Sequence, residues 1–137
     1  MALGVLWRRH VAYLVHALPL QPIVDGLGRV GLFPVERSSI GIILLSTWRD
    51  ADLRECLGND TRAWRDIRAA RQSGYALLHP DKREDTLAVA IGAANPYAGL
   101  ALSGNIDDRR ASELLPALRD AARRIESFDY QPPKTNG

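Results

Sequence analysis

Gly74 divides this chain into two kinds of apolar spacing. Before it, in TRAWRDIRAARQS, Trp64, Ile67 and Ala70 recur every three or four residues, the spacing of an amphipathic helix, and Gly74 is placed to end that helix in a left-handed conformation. After it, YALLHP, TLAVAIGA and AGLALSG follow a period of two, the pattern of strands. Helices and strands are therefore grouped and do not alternate one by one. That excludes the β-α-β repeat of a doubly wound parallel sheet and predicts an α+β fold with a largely antiparallel sheet.

The other elements fit this grouping. In residues 4–17 the large residues Val5, Trp7, Val11, Tyr13 and Val15 are all odd-numbered, with Arg8, His10 and His16 opposite, which reads as one half-buried strand. LPLQPIVDGLG is a connection, and GRVGLFPV a second strand. Ser38 or Ser39 caps a helix carrying Ile40, Ile43 and Leu44. DADLRECL is a short helix stopped by Gly58, and Asn59 or Asp60 caps the next. Asn95-Pro96 is turn chemistry that joins TLAVAIGA and AGLALSG as a hairpin. The closing helix, DRRASELLPALRDAARRIESF, places Leu114, Leu118, Ala122 and Ile125 on one face and Asp120 and Arg124 as an exposed i,i+4 pair. Its Pro116 sits in the first turn of a helix starting at Ser112, or kinks one starting at Asp107 or Asp108. The expected organisation is one domain over residues 1–130 and a disordered tail over 131–137.

Several chemistries are excluded or weakened by the residues present. The net charge is +2, and no block of five like charges occurs, so these 137 residues carry no electrostatic footprint for nucleic acid. The single cysteine, Cys56, permits no intrachain disulfide and no cysteine-rich zinc site. It suits a reducing, cytoplasmic setting and reads as a buried structural thiol. The apolar run from Val11 to Leu20 is too short to span a bilayer. DGLGRVGLF carries the G-x-G-x-x-G spacing at Gly26, Gly28 and Gly31, but it lies between Pro22 and Pro34 and lacks the strand-to-helix setting that brings a pyrophosphate to a helix start. It reads as a glycine-rich loop, and no cofactor is expected. His10 and His16 share a strand face about 20 Å apart, too far for one metal ion. His79, with Asp81, Glu84 and Asp85 in HPDKRED, could form an acid-base cluster but reads first as a solvated loop. No catalytic or metal-binding residue is assigned, and the chain is not read as an enzyme.

The two hairpin strands are more informative. Each has a bulky face (Leu87, Val89, Ile91; Leu100, Leu102) and a small face (Ala88, Ala90; Gly99, Ala101, Ser103). Small residues on a sheet either admit a helix closely or leave room for a ligand, and Ser103 is a hydroxyl on that face.

At this level the chain resembles the effector-binding domain of IclR-type bacterial transcription regulators. The resemblance rests on FPVERSSIGIILLS at 33–46, IRAARQSGYA at 67–76, LAVAIG at 87–92, LALSG at 100–104 and ELLPALRDAARRIES near the end, and it runs in order from about residue 5 to 127. It implies a GAF-like fold, a curved antiparallel sheet with helices on both sides and a small-molecule pocket. It places pocket positions at Ser39, Ile40, Ile91, Ala101 and Ser103. Because Ile40, Ile91 and Ala101 are apolar, the implied effector is a larger, apolar or aromatic carboxylic acid. The resemblance further implies a homodimer or homotetramer, and DNA contact only through a winged helix-turn-helix domain that lies outside this chain, as does the usual first helix of the effector domain. The alternative is a non-enzymatic oligomerisation module without a ligand.

Overall fold

The computed structural model describes residues 1–17, 31–92 and 94–128. Gly26 and Gly28 of the glycine motif and the tail after 128 lie outside these residues. Three strands come first: β1 (Ala2–Trp7), β2 (His10–His16) and β3 (Gly31–Pro34). A 3-10 turn (Val35–Arg37) leads into the helices α1 (Ser39–Leu45), α2 (Asp50–Leu57) and α3 (Thr61–Ser73). The strands β4 (Ala76–Leu78), β5 (Asp85–Ile91) and β6 (Ala98–Gly104) follow, and α4 (Asp108–Glu126) closes the fold. The six strands form one antiparallel sheet in the order β3-β2-β1-β6-β5-β4.

Helices cover both sides of the sheet, as expected. On one side α1 lies against β5 and β6, with α3 packed behind it. Every residue of α1 is buried, because SIGIILL is apolar around its whole circumference and is sandwiched between sheet and helix. Ser38 caps α1 and Asp60 caps α3, each accepting from an N–H three residues on, and Gly74 ends α3 at φ 82°. Arg71 ties the layers together, donating to the Ser46 and Trp48 carbonyls at 3.1 and 2.7 Å and pairing with Asp50 at 2.8 Å. On the other side α4 packs on β5 and β6 through Ala111, Leu115, Leu118 and Ala122. That stripe is rotated from the one read in the sequence: Leu114 is only half-buried and Ile125 is exposed. The helix starts at Asp108, so Pro116 lies inside it on the exposed face, and Asp120 and Arg124 pair at 3.1 Å.

The largest departure from the sequence reading is at the start. Residues 4–17 are a hairpin, not one strand, with Arg8 and Arg9 as a two-residue loop between the paired Trp7 and His10. From Trp7–His10 to Gly4–Tyr13, paired residues have opposite parity. The odd-numbered Leu3 and Val5 face α4, whereas the odd-numbered Val11 and Tyr13 face α1. Unbroken odd spacing across a two-residue turn therefore conceals a change of face. A bulge then leaves Leu14 between the pairs Gly4–Tyr13 and Leu3–Val15. It returns His16 to the side of Tyr13, so His10 and His16 do not share a face.

Arg8 takes φ 56°, the positive value that the first loop residue of a type II′ hairpin requires and that glycine adopts without strain. Its guanidinium lies 5.5 Å from the Trp7 ring centroid, an exposed contact worth about 0.5 kcal/mol. Relief of the left-handed backbone is worth about 1–2 kcal/mol. Arg8→Gly is therefore expected to raise stability by about 0.5–1.5 kcal/mol, measured as a higher urea midpoint at constant slope. A lower midpoint would mean that the arginine side chain outweighs its backbone strain.

Candidate functional site

A cleft of about 1200 Å³ opens on the α1 side of the sheet. One wall is aromatic. The Tyr13 and His16 rings lie 4.9 Å apart, and Phe33 meets Tyr13 edge-on at 6.5 Å. The floor is hydroxylic: Ser38 and Ser39 come from the start of α1, and Thr86 and Ser103 from a pair of residues directly opposite on β5 and β6. The first two turns of α3 contribute Arg62, Ala63 and Asp66, and residues 80–84, between β4 and β5, close the far side.

Local physics explains how these groups are held. The Tyr13 hydroxyl and Ser38 Oγ are 2.9 Å apart, and Ser38 Oγ also accepts from the Gly41 N–H at 3.2 Å. Burial pushes the Tyr13 phenol upward in pKa, and the Ser38 bond offsets this in part, so the tyrosine stays a neutral hydroxyl at physiological pH. Burial likewise raises the Asp66 carboxyl, with Arg65 and Arg62 opposing.

The five pocket positions implied by the resemblance are divided by the structure. Ser39 and Ser103 line the cleft. Ile40 is fully buried beneath it, wedged between Gly4 and Gly99, and Ala101 belongs to the same core. Ile91 is a correction. It lies on the opposite face, in the core under α4 with Leu87 and Val89, as strict alternation along β5 requires. The small face of the hairpin serves both purposes considered for it: at Gly99 it admits Ile40, and at Ser103 it opens into the cleft.

Tyr13, His16, Phe33 and Thr86 were not singled out from the sequence as cleft residues. Alternation on β5 could have found Thr86, which shares the parity of Ala88 and Ala90. Nothing local marked the bulge that brings His16 beside Tyr13.

The other candidate chemistry falls elsewhere. His79 Nδ1 lies 2.8 Å from Asp85, whose second oxygen accepts from the Ile106 N–H at 2.9 Å. These bonds hold the Asp85 carboxyl below its usual range, the histidine bond contributing most. Asp85 alternates with Thr86 and so faces away from the cleft, which leaves this pair bracing the β5–β6 end. Cys56 is half-buried and lines a second concavity of about 610 Å³ with Arg8, Arg9, Trp48 and Arg49. Burial raises its thiol pKa, so it is not an activated thiolate. No group of His, Cys, Asp and Glu residues suited to a metal ion occurs among the described residues, and no helix there is long and apolar enough to cross a membrane.

No protein-family model and no curated protein matches the chain. Solved structures do. The Agobacterium tumefaciens repressor BlcR superposes with a TM-score of 0.75 at 19% identity, over 91% of this chain and 57% of that one. The inducer-binding domain of the transcription factor PobR from Acinetobacter, a double mutant in complex with 3-hydroxybenzoic acid, gives 0.72 at 21%, over 92% and 86%. An IclR homolog from Microbacterium hydrocarbonoxydans, in complex with 4-hydroxybenzoate, gives 0.71 at 22%, over 92% and 58%. The fold is that of regulator inducer-binding domains. At these identities the fold is what is shared. The chain spans little more than half the length of the BlcR and Microbacterium proteins, and the most of PobR's separate inducer-binding domain.

Proposed function

We propose that this chain is the small-molecule-sensing domain of an IclR-type transcriptional regulator, and that its effector is an apolar or aromatic carboxylic acid. The observation that carries the reading is the cleft itself. An aromatic wall faces a hydroxylic floor, with cationic side chains at the rim, on a fold that binds hydroxybenzoates in two similar structures. Aromatic faces take a planar ring, and hydroxyl and cationic groups orient its polar substituents. The cleft exceeds the roughly 300–1000 Å³ of ordinary ligand pockets, which favours an acid larger than a single small keto acid. Occupancy would act by favouring one arrangement of subunits over another, and through it promoter binding by a winged helix-turn-helix domain. Such coupling requires different affinities in the two arrangements.

A thermal-shift screen of aromatic and aliphatic carboxylic acids tests the reading. An acid present at 100 times its dissociation constant adds about 2.7 kcal/mol of stability and raises the melting temperature by several degrees. If no acid stabilises the chain at millimolar concentration, the sensing role is lost.

One observation favours an oligomerisation module without a ligand. Ile40 fills the space between Gly4 and Gly99, so a position expected in the pocket is already occupied by side chain. That reading requires an oligomer, seen by light scattering, whose size no acid alters.

A further inference from the structure

Arg37, Arg62, Lys82 and Arg83 all line the cleft, and none of them makes an ion pair among the described residues. Carboxylates line the cleft too, so net charge alone does not draw an anion into it. Local arrangement has to decide which cation receives one.

Arg83 differs from the other three. It belongs to the β4–β5 connection, at one edge of the sheet, yet its guanidinium carbon lies 5.2 Å from the ring centroid of Phe33 in β3, at the opposite edge. The curl of the sheet brings these edges together across the cleft. Phe33 in turn meets Tyr13 edge-on, so the guanidinium caps one end of the aromatic wall. An exposed arginine held by a ring face gains only about 0.5–1 kcal/mol from it. A carboxylate offers the planar fork two charge-assisted hydrogen bonds, which are stronger and directional. A ring lying along the wall would present a carboxylate to Arg83 with no rearrangement of the backbone. Asp81 and Glu84, both exposed beside Arg83 in the same connection, disfavour a second negative charge there.

We propose that Arg83 is the carboxylate-docking residue of the cleft and, with Phe33 beneath it, sets its specificity for monoanionic aromatic acids over neutral aromatic compounds of the same shape. This deepens the acid-sensing reading and rests on it.

The test is calorimetric titration of the full chain and of Arg83→Gln with benzoate and 4-hydroxybenzoate, each beside its neutral amide. In the wild type the acids should bind and the amides bind more weakly. In Arg83→Gln the acids should lose about 10- to 100-fold in affinity and the amides stay within about twofold, so that the preference for the charged form collapses. Because Arg83 is exposed, the variant's melting temperature should match the wild type's, which separates lost docking from lost folding. Acids that bind both proteins equally would overturn the assignment and leave the sensing role standing. So would an equal loss for acids and amides, or loss on Arg37→Gln or Arg62→Gln with Arg83→Gln unaffected. If the wild type binds neither acid while only an aliphatic carboxylic acid stabilises it, specificity for aromatic acids is refuted; if a larger aromatic acid stabilises it, the same comparison with that acid and its amide decides; if no acid does, the sensing role falls as well.

Discussion

Alanine at Gly41 is expected to destabilise the domain by about 2–3 kcal/mol, although Gly→Ala within a helix ordinarily stabilises by about 1 kcal/mol. A β-carbon there would overlap the Val35 carbonyl oxygen and come within 2.9 Å of the Val35 carbonyl carbon and 2.8 Å of its Cγ2. The carbonyl is backbone, held in the 3-10 turn where it accepts from the Ser38 N–H, so it cannot yield as a side chain would. Relief requires α1 to move away from the turn, which loosens the Ser38 bonds to Gly41 and Tyr13 at the cleft floor. Urea unfolding should show a lower midpoint at unchanged slope, and an acid bound by the wild type should bind the variant more weakly. Stability within about 0.5 kcal/mol of wild type would mean that the turn and α1 are not in rigid contact.

Ile40→Ala should cost more, about 4 kcal/mol, because it removes a fully buried side chain from between two glycines that hold no atoms to collapse into the gap. Gly99→Ala meets the same side chain from the other direction. Its new β-carbon would lie 2.5 Å from Ile40 Cγ2, an overpacking worth about 2 kcal/mol. In the double variant the added methyl enters space that the isoleucine has vacated, although the Ile40 β-carbon, 3.2 Å away, remains. The combined loss should therefore fall short of the sum of the two by about 1–2 kcal/mol. Additive losses in a four-variant unfolding cycle would refute direct packing between these positions.

Much of the fold could be read from single elements. Helices α2 and α3, their ends at Gly58 and Gly74, and the β5–β6 hairpin follow from caps, turn residues and period, all of which act within a few residues. Arg8-Arg9 failed that test. The hairpin loop carries no glycine, asparagine or proline, and its strain is sustained by the pairing of Trp7 with His10. On α4, Leu118 and Ala122 face the sheet as the spacing predicts, but Leu115 takes the place of Leu114, because the two are equally apolar and only the position of the sheet decides between them.

The candidate site divides along the same line. Alternation by itself put Ile91 with Leu87 and Val89 on the bulky face and Ser103 with Ala101 on the small one, since successive strand side chains must point to opposite sides. The cleft is another matter. Tyr13, Phe33, Ser38, Arg83 and Ser103 come from five separate segments, and only the curl of one sheet brings its two edges within reach of each other. Local residue preference determined most of the elements and, along β5 and β6, which way their side chains face; tertiary pairing and packing decided the β1–β2 hairpin and the facing of α4, and long-range closure of the sheet, a property of all six strands together, decided which faces share a cleft.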